Sequence, residues 1–144
     1  MKPLLFDTNA LLLFLRGDVH WQAVYQKYDV ENALNCLSVI SLGELCAIAL
    51  RNNWGERRLA QIAQVRQDFT IIDINIEEII QKYAQIDAFS QGKLANRPLT
   101  VSARNMGKND LWIAATASVF NMQLITADAD FEHLDASFLT LGKI

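Results

Sequence analysis

Along the chain, compact apolar runs alternate with longer stretches in which apolar residues return every three or four positions. The compact runs are "LLF" at 4–6, "LNCLSVI" at 34–40, "FTIIDI" at 69–74, "MQLIT" at 122–126 and "FLTL" at 138–141. Short runs of this kind, rich in large and β-branched apolar side chains, read as buried strands. Helical spacing opens near Ala10 and recurs in "HWQAVYQKYDV", "SLGELCAIALRNN", "ERRLAQIAQVRQDF" and "NIEEIIQKYAQIDAFS". The stretch "NDLWIAATASVFN" is apolar on nearly every side and is predicted to be a buried helix. A short helix is expected over "ADFEHLDAS". Strands alternating with helices predict an α/β fold with a central, mostly parallel sheet of about five strands. At 144 residues the expectation is one domain, 1–144.

One stretch breaks the pattern. "QGKLANRPLTVSARNMGK", residues 91–108, has no clear period and contains Gly, Pro and Ser. Loops of that length inside a compact domain are usually functional or disordered.

Composition adds little to this. With 51% hydrophobic and 20% charged residues, the chain is an ordinary globular sequence. The N-terminal apolar run is far short of the ~20 residues that span a bilayer. It reaches Asp7 without the h-region of a secretory signal, so the expected location is cytoplasmic, with no membrane partner. Cys36 and Cys46 sit in apolar surroundings and are read as buried thiols rather than a disulfide. The net charge of −3 gives no overall argument for nucleic-acid binding, but its distribution is uneven. Between Gln91 and Asn109 stand four bases (Lys93, Arg97, Arg104, Lys108) and no acid, whereas from Asp110 onward there are five acids and one lysine.

The candidate chemistry lies in carboxylates. Open α/β sheets bind ligands at the carboxyl ends of their strands. Asp7 follows the first strand, Asp128 follows "QLIT", Glu44 lies one turn into the helix after "CLSVI", and Asp110 opens the buried helix, with Asn109 as its N-cap. Each has a local structural explanation. Asp7 suits a helix cap, and Ser41 with Glu44 in "SLGE" spells a capping box, as does "NIEE" at 75–78. Asp110 is favoured by the helix dipole, and Asp128 and Asp130 suit a turn and its N-cap. Jointly, however, four elements deliver acids to one edge. Crowded carboxylates raise one another's pKa unless a cation offsets them. Hard oxygen ligands favour Mg²⁺, with Mn²⁺ able to substitute. His20 and His133 stand apart from each other and from the cysteines, so neither a zinc site nor a Ser–His or Cys–His pair is predicted.

"LLFDTNALL", "SVISLGEL", "NDLWIAATA" and "LITADADF", in this order and spacing, resemble the PIN-domain ribonucleases. Among these the resemblance is to the VapC-type toxins of bacterial type II toxin–antitoxin modules, and it covers essentially the whole chain. It implies a PIN-like α/β/α sandwich and a metal-dependent endoribonuclease, dimeric and held inactive by a cognate antitoxin. Carried over by motif, the acidic quartet is Asp7, Glu44, Asp110 and Asp128, with Asp130 able to share or replace the role of Asp128. Asp7, Asp110 and Asp128 would hold Mg²⁺ or Mn²⁺, and Glu44 would orient or deprotonate the attacking water. Asn9 and Thr126 flank this site and either bond to it or serve only as turn and strand-end residues.

The implied substrate is RNA, structured RNA such as tRNA among the candidates. Lys93, Arg97, Arg104, Lys108 and Arg51 are the candidate backbone contacts. Trp21, Trp54 and Trp112 are either stacking platforms or core, with Trp112 read as core. Three alternatives remain at this level, cleavage of DNA rather than RNA being one of them. A phosphatase resembling the haloacid dehalogenases would need an aspartate where Asn9 stands. A catalytically inactive PIN-like module that binds RNA or protein would not need the acidic quartet.

Overall fold

Side chains alternate between the two faces of a strand. Leu4, Leu5 and Phe6 are all fully buried, so the first strand must be covered on both sides. The computed structural model describes residues 2–144. In it β1 (Pro3–Phe6) is the central strand of five, with β2 (Leu34–Ser38), β3 (Thr70–Ile72), β4 (Gln123–Thr126) and β5 (Thr140–Lys143) in the order β3-β2-β1-β4-β5. Every pairing is parallel.

Helices cover both faces. On one side α1 (Thr8–Leu15), α2 (Val19–Lys27), α3 (Val39–Arg51) and α4 (Glu56–Asp68) pack against Leu4, Phe6, Leu37 and Ile125. On the other, α5 (Glu77–Ser90), α6 (Lys108–Val119) and a 3₁₀ turn at Ala129–Leu134 pack against Leu5, Leu124 and Leu141. The result is the expected α/β/α sandwich around a five-stranded parallel sheet. The order reverses between β1 and β4, which makes their carboxyl ends the topological switch point where such sheets bind ligands. No helix among the described residues is long and apolar enough to cross a membrane.

Several local expectations are corrected. The second strand ends at Ser38 rather than residue 40, because Ser38 Oγ accepts from the Ile40 N–H and starts α3 as its N-cap. This removes the capping box at Ser41 and Glu44, both of which lie inside α3. The "NIEE" box also fails: α5 is preceded by Ile76 with no side-chain cap. Gly107, not Asn109, precedes α6. Cys36 is buried, but Cys46 is exposed, since Leu42, Leu45 and Ala49 form the buried stripe of α3 and Cys46 falls outside it.

The edge strand β5 is seated through a glycine. A Cβ at Gly142 would lie 2.5 Å from Ile125 Cδ1 and 2.9 Å from Tyr28 Cε1, while Tyr28 Oη donates to the Lys143 carbonyl at 2.6 Å. Gly142→Ala is therefore expected to cost about 1–3 kcal/mol through overpacking. Denaturant midpoints of the two proteins check this, and equal midpoints would show that the strand shifts freely.

Candidate active site

Asp7 leaves the end of β1 at the switch point and is 4% exposed. Its backbone N–H continues the sheet by donating to the Ile125 carbonyl at 3.0 Å, and its own carbonyl accepts from Leu11 in the first turn of α1. Asp7 does cap α1, its Oδ1 accepting from the Thr8 N–H at 2.7 Å. Its other oxygen, Oδ2, accepts from Thr126 Oγ1 at 2.8 Å. Thr126 Oγ1 in turn accepts from the Asp128 N–H at 3.0 Å. One hydroxyl at the end of β4 thus holds both the Asp7 carboxylate and the backbone of Asp128. Thr126 has the site role left open for it; Asn9 makes no hydrogen bond to the site, but lines a cleft of about 510 Å³ with Asp128 and Arg16.

Asp128 caps the 3₁₀ turn, its Oδ1 accepting from the Asp130 N–H at 2.9 Å. Asp110 stands in the first turn of α6. One carboxylate oxygen each from Asp110, Asp128 and Asp130 lie within 4.8 Å of one another. Glu44, on the second turn of α3, is held by Thr8, whose Oγ1 donates to Glu44 Oε1 at 2.7 Å and lies 3.1 Å from Ser41 Oγ. The chain thus brings Asp7, Glu44, Asp110 and Asp128 to one edge, and Asp130, expected as a sharer or replacement of Asp128, stands there beside it. Thr8 was not foreseen as a site residue, and Ser41 was expected only as half of a capping box. The available signal was a hydroxyl beside Asp7 and another one turn before Glu44.

This concentration of negative charge acts on protonation. Burial pushes the Asp7 carboxyl up from its ordinary value, opposed by the bonds from Thr126 and Thr8, with the Asp128 and Glu44 charges adding to the rise. Asp110 is raised to about 6, first by burial and then by the charges of Asp7, Asp128, Glu44 and Asp130. Both groups thus bind their protons more tightly than a carboxyl free in solvent.

Of the basic candidates, Arg104 is the one in contact with the acidic cluster. Arg104 Nη1 is 4.0 Å from Asp130 Oδ1. Lys93 and Lys108 are exposed and make no ion pair among the described residues. Arg97 packs over the Phe138 ring at 3.9 Å, and Arg51 is exposed at the end of α3. The tryptophans are packing residues: Trp112 meets Tyr83 at 4.3 Å, and Trp21 lies against Phe6 and Phe14. Trp54 packs on the α1–α4 core with Arg58 over its ring.

Against expectation, a serine and a histidine do pair. Ser90 Oγ and His133 Nε2 are 2.7 Å apart. Ser90 is fully buried and also faces Met106 Sδ, so the pair ties α5 to the acidic turn and exposes no nucleophile.

A family model described as "PIN domain" matches residues 4–137. No curated protein gives a significant match. Among solved structures, VapBC2 from Rickettsia felis, bound to a DNA fragment from its promoter, is similar at TM-score 0.75 and 20% identity, over 99% of each chain. VapBC-1 from nontypeable Haemophilus influenzae is similar at TM-score 0.73 and 22% identity, over 99% of this chain and 98% of that one. VapBC-5 from Mycobacterium tuberculosis, a member of the VapBC family of toxin–antitoxin systems, is similar at TM-score 0.64 and 21% identity, over the whole of both chains. At these identities the likeness concerns the fold.

Proposed function

The chain belongs to the PIN-domain family, and on that premise we propose that it is a Mg²⁺-dependent endoribonuclease, with Mn²⁺ able to substitute, and the VapC-type toxin of a toxin–antitoxin pair. The observation that carries this reading is the meeting of Asp110, Asp128 and Asp130 within 4.8 Å beside a buried Asp7, at the switch point of the sheet. The donor set suits the ion. It is all carboxylate oxygen, and burial, with the neighbouring carboxylate charges adding to it, raises Asp110 to about 6, a cost that bound divalent charge offsets.

Asp7, Asp110 and Asp128 are the residues that would hold the ion, with Asp130 beside them. Bound there, it supplies Lewis-acid stabilisation of phosphate charge and lowers the pKa of water toward neutrality. Thr126 keeps Asp7 and Asp128 in one arrangement. Thr8 occupies one oxygen of Glu44 and leaves the other to orient or deprotonate the attacking water. Lys93, Arg97, Arg104 and Lys108 offset the acidic edge and bind the RNA backbone.

The same reading takes residues 1–144 as one PIN-like domain acting in the cytoplasm as a homodimer. Its inhibitor would be a cognate antitoxin, supported by the toxin–antitoxin designation of VapBC-5. The substrate is RNA, structured RNA such as tRNA included.

The test is digestion of a pool of structured RNAs with Mg²⁺, Mn²⁺ or EDTA, followed by mapping of the fragment ends. Hydrolysis by water is expected to leave discrete 5′-phosphate and 3′-hydroxyl ends and to stop in EDTA. A 2′,3′-cyclic phosphate would mean attack by the RNA 2′-hydroxyl and would overturn the mechanism. RNA bound but uncut under every condition would instead favour an inactive PIN-like binding module.

A further inference from the structure

The irregular segment between α5 and α6 has fixed walls. The Arg104 N–H donates to the Ser90 carbonyl at 2.8 Å and the Lys93 N–H to the Ala88 carbonyl at 2.8 Å. Leu94 and Leu99 pack on the core, and the Arg97 guanidinium donates to the Ser137 carbonyl while lying over the Phe138 ring. Between this segment and the turn that carries Asp128 and Asp130 lies an open cavity of about 470 Å³. Its lining includes Phe89, Arg97, Pro98, Thr100 and Val101 on one part, and Glu132 and His133 of the acidic turn on another.

We propose that this cavity takes one unpaired nucleotide of the RNA next to the cleaved phosphate, and so sets where the chain cuts. The inference rests on the nuclease reading above. The cavity's size is that of a small-ligand site. Its wall has what an unstacked base needs: apolar surface, a guanidinium plane to stack on, and hydroxyl and amide groups to meet the base edge. Arg97 uses one face on Phe138 yet stays exposed, so its plane remains available. The carboxylates in the lining are already engaged. Glu132 Oε1 pairs with Lys143 Nζ at 3.1 Å, and Asp135 Oδ1 accepts from the Leu141 N–H at 3.0 Å. The charge of the segment is positive, with four bases and no acid from Gln91 to Asn109, which suits the phosphates on either side of a bound base. Glu132 and His133 belong to the same turn as Asp130, so the cavity adjoins the acidic cluster.

The experiment compares wild type with Thr100→Trp, which fills the cavity from an exposed position, and Arg97→Lys, which keeps the charge but removes the plane. Binding of a fluorescent single-stranded random octaribonucleotide pool is followed by anisotropy in EDTA. Cut sites in the same pool are sequenced after Mn²⁺ is added. Thr100→Trp is expected to weaken binding about tenfold and to flatten the base preference at one position beside the cut. Arg97→Lys is expected to flatten that preference while the salt dependence of binding stays unchanged. Circular dichroism and melting of each variant exclude misfolding. Wild-type affinity and cut sites retained by both variants would overturn the proposal while leaving the nuclease intact. No cleavage by wild type would defeat the nuclease reading, and the EDTA binding comparison would still decide the cavity. No wild-type binding at millimolar pool would overturn the cavity as well.

Discussion

Asp7→Asn is expected to lower the single-turnover rate of RNA cleavage about 10³-fold or more in a protein that remains folded. The magnitude follows from the role. A metal-stabilised transition state draws several kcal/mol from its ion, and each 1.36 kcal/mol is tenfold in rate. The fold survives because asparagine is as good an N-cap as aspartate, so the bond from the Thr8 N–H to the side-chain oxygen persists. Asp128→Asn is expected to be nearly as severe, since that residue is half-buried and its backbone is tied to Thr126, which also holds Asp7. Asp130→Asn is expected to cost about tenfold or less, because Asp130 is exposed and faces Arg104 across 4.0 Å. Quenched-flow rates in Mn²⁺ with an RNA cut at one site separate the three. Asp7→Asn at a tenth of the wild-type rate would remove Asp7 from the machinery, and a reversed order of Asp128 and Asp130 would exchange their roles.

The central layer was legible because its strands are covered on both faces. Burial of Leu4, Leu5 and Phe6 on opposite faces appears in the sequence as an unbroken apolar run. The helix holding Asp110 was legible for the same reason: Leu111 and residues 113–117 are all buried. The local signals at helix starts misled. "SLGE" has the spacing of a capping box, but α3 had already begun at Ser38. Val39 and Ile40, β-branched residues that favour strands, were carried into the helix by tertiary context. Glu44 instead bonds to Thr8, which is 36 residues away in the chain, and no local pattern encodes such a pair. The Ser90–His133 pair, 43 residues apart, was hidden in the same way. Asp130 could be placed near Asp128 from sequence, but its approach to Asp110 depends on how α6 and the 3₁₀ turn dock.

Asp110→Asn is expected to stabilise the metal-free protein at pH 7.5 and to leave it deaf to Mn²⁺. In the folded state the Asp110 carboxyl is raised from 3.8 to about 6, chiefly by burial and then by the neighbouring carboxylates. Between pH 4 and 6 the folded chain therefore binds more protons at this group than the unfolded chain, and stability falls as pH rises through that window. Above it the ionised group is a standing cost. Because Asp110 is only half-buried, solvent screening reduces this cost to on the order of 1 kcal/mol, worth about 3 °C in a chain of this size. Asparagine removes it, so the variant should melt higher than wild type at pH 7.5 and close to it near pH 4.5, in EDTA. Saturating Mn²⁺ reverses the order. An ion that binds only the folded state adds about 2.7 kcal/mol at 100 times its Kd, and wild type alone retains the full carboxylate set. Melting curves at the two pH values, with EDTA and with Mn²⁺, give all four comparisons. A variant no more stable than wild type at pH 7.5 would show that the carboxylates do not strain the site. Equal stabilisation of both proteins by Mn²⁺ would place the ion elsewhere on the molecule.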